Sequence, residues 1–224
     1  MRNDTKMELE LLERELDEQG QFVLRLLRGA VEAFRHADAA SGEVVTGLEQ
    51  DVRAAHDRID AAASRLLAER WEISADTRRA VAARRVNDEL EGMAELALAI
   101  ARLARPAGSA ASPAVGELDE LALAAEACAH GALDAFATGS TTRATLLVDS
   151  DLLVDEAMRD AADAVMVRAP THPGGRDWAL RAMLTARCLG RISQHAMRIA
   201  AQAGFATTGR ALDTGSSEAA CRAY

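Results

Sequence analysis

Aromatic side chains are scarce in this chain of 224 residues: two Trp, one Tyr and four Phe, 3% of the total. With only four prolines and fifteen glycines as well, it lacks the strand formers and frequent turns of a β-sandwich or a doubly wound sheet. The three cysteines, Cys128, Cys188 and Cys221, are odd in number, widely spaced and form no CxxC pair. That excludes a closed disulfide framework or a zinc clip and fits the reduced thiols of a cytosol. No basic block is present. Lys and Arg number 26 against 35 Asp and Glu, a net charge of −9, which argues against a nucleic-acid partner. No stretch approaches the ~20 uncharged apolar residues that span a bilayer. The start, Met1-Arg2-Asn3-Asp4-Thr5-Lys6-Met7-Glu8, has no apolar core of a signal peptide. A cytoplasmic protein without membrane insertion is expected.

What is present is 49% hydrophobic residues, with many Ala, Leu, Glu and Arg, which lose little entropy in a helix. The chain reads as all-α. Apolar residues recur at steps of three and four, the stripe of a packed helix. Leu9, Leu12, Leu16, Val23, Leu26, Ala30 and Phe34 mark a first segment. After a break at Ser41-Gly42, Val45, Leu48, Val52, Ala55, Ile59, Ala62 and Leu66 mark a second. After Ser74, Val86, Leu90, Met93, Ala97, Ile100 and Ala104 mark a third. Three more follow: Leu118, Leu121, Ala125, Cys128 and Phe136; then Leu147, Val154, Met158, Ala161 and Val165; then Leu180, Leu184, Cys188, Ile192, His195 and Ile199.

Two prolines and small polar residues between Arg105 and Pro113 read as a linker dividing three helices from three. Aligning the halves sets Glu91 opposite Gly190 and Glu49 opposite Asp151, offsets of 99 and 102 residues. A tandem duplication of about 100 residues follows. The predicted organisation is a three-helix bundle over 1–105, a linker over 106–116, a second bundle over 117–208 and a frayed tail over 209–224.

Particular stretches carry a resemblance. Leu66-Leu67-Ala68 leads to Ile73-Ser74-Ala75-Asp76-Thr77-Arg78, and Arg85-Val86-Asn87-Asp88-Glu89-Leu90-Glu91-Gly92-Met93-Ala94-Glu95-Leu96-Ala97 follows. In the second half stand Ala186-Arg187-Cys188-Leu189-Gly190-Arg191-Ile192-Ser193-Gln194-His195-Ala196 and Thr207-Thr208-Gly209. In order and spacing these resemble the PhoU family of phosphate-uptake regulators, across roughly residues 5–209. The resemblance implies tandem three-helix bundles, six helices in all. It also implies a negative regulator of phosphate uptake and phosphate-starvation signalling, with a phosphate ABC transporter and a membrane sensor histidine kinase as partners. A homodimer is a further implication.

The family pattern also implies acidic surface sites for a divalent or ferric metal ion. In the first repeat its motif stands as Glu91 and Glu95, with Glu89 just before and Glu49 on the second helix, Asp51 nearby. Residues at i and i+4 share a helix face, so such carboxylates can converge on a cation. Arg53, however, stands where the family often has Asp. In the second repeat Asp151 and Asp155 remain, but Gly190 and Gln194 replace the acids of the third helix. The same acids also read as solvated faces beside arginines: Arg85 lies four residues before Glu89, and Arg84 four before Asp88. That reading leaves no metal, and it outweighs the metal reading.

His195, on an apolar stripe, reads as a satisfied core histidine, and Arg78 as a tie between its helix start and neighbouring elements. Glu-x-x-His pairs, a P-loop, a GxGxxG turn and a Gly-x-Ser-x-Gly elbow are all missing, which weighs against an enzyme. Two alternatives to the regulator stay open, a divergent helical adaptor for another transporter or regulator and a metal-binding bundle.

Overall fold

The computed structural model describes residues 2–68, 74–104, 116–171, 174–210 and 212, apart from the side chains of 2–5, 151 and 152. The predicted linker and most of the tail lie outside the described residues. Among those described the secondary structure is helical throughout: α1 (Arg2–Arg35), α2 (Ala39–Thr46), α3 (Glu49–Ala68), α4 (Ala75–Arg102), α5 (Gly116–Thr138), α6 (Thr141–Val148), α7 (Asp151–Arg168) and α8 (Gly175–Thr208). A 3₁₀ turn, Ala169–Thr171, precedes α8. Six of these helices are long and match the predicted segments; α2 and α6 are short additions that periodicity had merged with their successors.

The halves follow one plan. α2 and α6 begin 102 residues apart, as do α3 and α7. Within the first half α1, α3 and α4 pack together with α2 against α1 and α4; in the second half α5, α7 and α8 do so, with α6 against α5 and α8. The most extensive contact between any two helices is α4 against α8, supplemented by α1 against α5. One continuous apolar core therefore runs through both halves. The stripes of the first and third segments are buried at every predicted position, from Leu9 to Phe34 and from Val86 to Ala104. Leu180 and Leu184, predicted on the stripe of the last segment, are instead 61% and 42% exposed. The core face of that end of α8 is set by Trp178, Ala182, Thr185 and Ala186, one or two positions round the helix.

The turn into each short helix is built alike in the two halves. The Asp38 N–H donates to the Ala33 carbonyl at 2.9 Å, and the Ser140 N–H to the Ala135 carbonyl at 2.9 Å. These are the six-to-one bonds that close a helix over a left-handed residue. That residue is Ala37 (φ +49°) in the first half and Gly139 (φ +64°) in the second. Asp38 and Ser140 then cap α2 and α6, Asp38 accepting from the N–H groups of Ala40 and Ser41 and Ser140 from that of Arg143. These bonds, with that from the Ser41 hydroxyl first, hold the Asp38 carboxyl below the usual carboxylate range. Gly42, predicted as a break, lies buried inside α2 because a Cβ there would stand 2.6 Å from the Ala101 carbonyl of α4.

α8 ends where Gly209 takes φ +77° and returns its N–H to the Phe205 carbonyl. Leu212, the one described residue beyond 210, packs over Gly204 against the core.

Left-handed backbone costs an L-residue with a Cβ about 1 kcal/mol relative to glycine. Ala37→Gly is therefore expected to raise the stability of the protein by about that amount in urea unfolding, and Gly139→Ala to lower it similarly.

Candidate functional site

Of the four acids predicted as a first-repeat metal site, three meet. Glu49, from the first turn of α3, joins Glu91 and Glu95 of α4 in a groove of about 240 Å³. Val52 and Leu98 also line it, and so do two arginines, Arg53 and Arg102. Arg102 forms an ion pair with Glu49, and Arg53 approaches the same carboxylate at 3.6 Å. His56 places Nε2 3.5 Å from a Glu91 oxygen. The groove is held in register by Asn87, fully buried on α4, whose amide donates to the His56 carbonyl of α3 at 3.0 Å.

Glu89 does not belong to this group. Two residues from Glu91 is about 200° around a helix, so the two side chains leave α4 on opposite flanks. Glu89 crosses to α8, where its Oε2 bonds His195 Nδ1 at 2.6 Å and lies 3.4 Å from Arg198 Nη1. The His195 ring sits over Gly92, where a Cβ would come within 2.5 Å of Cε1. His195 is thus satisfied, through a carboxylate from the other half that spacing could not reveal. The Arg85–Glu89 pair expected along α4 does not form; Arg85 lies over the Phe205 ring, 5.3 Å from its centroid. Arg78 fits the tie role, its Cδ passing 3.4 Å from where a Cβ of Gly209 would stand.

In the second repeat the side chain of Asp151 lies outside the described residues, and Asp155 is half-buried on α7. At the matching helix contact the pair is apolar. Met158, at the position corresponding to His56, sets its sulfur 2.8 Å from where a Cβ of Gly190 would be, and Gly190 corresponds to Glu91. A thioether packed against glycine replaces the imidazole–carboxylate pair of the first half.

The donor set does not fit a metal ion. Hard and borderline cations need several oxygen or nitrogen ligands at once. Although Glu49, Glu91 and Glu95 line one groove, among the described residues no three His, Cys, Asp or Glu side chains stand close enough to share one ion. Glu49 already holds two guanidinium groups, which neutralise it where a cation would have to enter. A cavity of about 470 Å³ between α1, α5 and the end of α8 has no paired nucleophile and base. Its threonine hydroxyls, of Thr138 and Thr207, donate to the carbonyls of Asp134 and Gly139, and Arg79 bridges to Glu13 at 2.5 Å.

The fold defines a class: an all-helical bundle of two similarly arranged halves, joined through the last long helix of each. No helix among the described residues is long and apolar enough to cross a membrane. Residues 16–104 match the PhoU domain model. The fold is similar to the crystal structure of PhoU from Pseudomonas aeruginosa, with 25% identity over 92% of this chain and 99% of that one, and a TM-score of 0.83. It is also similar to the phosphate transport system regulatory protein PhoU from Streptococcus pneumoniae, with 19% identity over 93% and 99% of the two chains, and a TM-score of 0.81. No curated protein matches the sequence. Residues 16–104 therefore carry a PhoU domain, and the chain as a whole shares the fold of these PhoU structures.

Two measurements test this account of the acids. Truncating Glu89 breaks a charged hydrogen bond at a half-buried site, so Glu89→Ala is expected to cost about 1–3 kcal/mol of unfolding free energy. Glu95→Ala, at an exposed position, should change it by less than about 0.5 kcal/mol. Purified protein should also carry less than about one equivalent of iron or zinc by elemental analysis, with a melting temperature that a chelator leaves unchanged.

Proposed function

We propose that the protein is a negative regulator of phosphate uptake and phosphate-starvation signalling, working in the cytoplasm by contact with a phosphate ABC transporter and a membrane sensor histidine kinase. The observation that carries this reading is the PhoU domain over residues 16–104. The long outer walls of α3, α4, α7 and α8 supply area for contact; α8 alone, at 34 residues, runs about 51 Å. The mechanism is a population shift. A surface that binds one transporter state tenfold better than another biases that equilibrium by about 1.4 kcal/mol and passes the bias to the kinase. No chemistry by the regulator itself is needed.

A second reading has specific support. The Met158–Gly190 contact and the arginines around Glu49 depart from the acidic surface implied by the family, and a changed surface suits an adaptor for another transporter or regulator.

Deleting the protein should raise phosphate uptake and switch on the starvation response even in phosphate-rich medium. An unchanged response in both rich and poor medium overturns the first reading. Affinity capture then separates the two: transporter ATPase or sensor kinase supports the first, and a different transporter or regulator supports the adaptor.

A further inference from the structure

The flank of the α4–α8 contact that carries Glu89 also carries two arginines, Arg78 and Arg85, with no ion-pair partner among the described residues. Residues 78, 85, 89 and 92 of α4 follow one another at helical-face spacing, and so do 195, 198, 205 and 209 of α8. The contacts of Arg78 with Gly209, Arg85 with Phe205, Arg198 with Glu89, and His195 with Glu89 and Gly92 set these two rows side by side. The row holds one acid, Glu89, and it is shared by His195 and Arg198. Among the described residues no carboxylate lies within salt-bridge distance of Arg78 or Arg85, and the Arg78 Nε is buried with no acceptor.

Both guanidinium groups are nevertheless held in place. The stem of Arg78 lies along Gly209, and the Phe205 ring supports Arg85 from below. Groups ordered before a partner arrives lose less entropy on docking. In a chain of net charge −9 this is a local basic strip.

We propose that the strip docks an acidic segment of a partner protein. The inference rests on the reading of the protein as a regulator by contact and names the chemistry of one such contact. Its length argues for a segment rather than a small anion: Arg78 and Arg85 are seven residues apart, about 10.5 Å along the helix. That is the spacing of acids two turns apart on a partner helix, and no single oxyanion bridges it. The surroundings argue against a membrane. Glu91 and Glu95 stand on the opposite flank of α4, and a broad anionic surface would press against them as well as against the overall negative charge. A narrow acidic segment meets only the strip.

The test uses a fluorescein-labelled octaglutamate peptide and the full chain, read by anisotropy at low ionic strength. Saturable binding that weakens with salt is expected. The double variant Arg78→Ala/Arg85→Ala should weaken it about tenfold, as loss of two charged contacts requires. Arg65→Ala/Arg176→Ala, with the same change in net charge at exposed positions elsewhere, should leave it unchanged; circular dichroism of both variants confirms folding. No saturable binding, or equal weakening by both double variants, overturns the proposal. So does displacement of the peptide by inorganic phosphate at a one-to-one ratio, or protein captured by phosphatidylglycerol vesicles while the peptide is ignored. Because the readout is independent of phosphate physiology, peptide binding with an unchanged deletion phenotype would sink the assigned pathway and leave the strip standing.

Discussion

The close contact between α4 and α8 is the constraint from which the rest of the molecule follows. Each of these helices must pack against its own half and against the other, so each is buried on more than one side. A helix enclosed in this way cannot carry large side chains all round. Ala80, Ala82, Ala83, Ala94 and Ala97 are buried on α4; Ala182, Ala186, Gly190, Ser193, Ala196, Ala200 and Ala203 are buried on α8. Small residues let ridges and grooves interlock at short range and keep the interior dense. Gly92 is the clearest instance, because the ring that fills the space above it comes from the opposite half. Buried hydroxyls in such a seam need local acceptors, and Ser193 finds one in the Leu189 carbonyl a turn earlier.

The two halves share one frame, and each fills it differently. The turn at Ala37 and the turn at Gly139 have the same bonds and the same backbone sign. The surfaces nearby do not. Where the first half has His56 facing Glu91, the second has Met158 facing Gly190. An internal repeat conserves what the packing demands and leaves free what points outward, so the two grooves can diverge without disturbing the core between them.

The sequence made some of this legible and hid the rest, for identifiable reasons. The long helices were readable because three-and-four spacing over many residues has one physical meaning, and every stripe residue of α1 is buried. α2 and α6 escaped because eight residues give periodicity too little length, and because Gly42 signals a break when its real role is close approach to Ala101. Leu180 and Leu184 misled because an apolar residue on a helix need not face the core, and the buried positions of that turn are Trp178, Ala182 and Thr185. In the candidate site, the meeting of Glu49, Glu91 and Glu95 followed from one shared face and one alignment. The placement of Glu89 did not: its partner is 106 residues away, and only the packing angle of two helices decides which flank meets which. Arg102, the principal partner of Glu49, was equally invisible, being 53 residues distant and unremarkable in its own helix.

Those arginines change the electrical character of the outer face. Three carboxylates in one groove would repel one another and call for a cation. Here two guanidinium groups stand among them, so most of that repulsion is offset by the chain's own arginines. On the opposite flank of α4 the described residues set one carboxylate, Glu89, among three arginines and His195. Among the described residues, then, α4 carries a partnered acidic groove on one side and two arginines without an ion pair on the other. The two flanks diverge because they face different neighbours: α3 offers Arg53 and His56 to the acids, whereas α8 offers the other flank His195, Arg198 and the Phe205 ring.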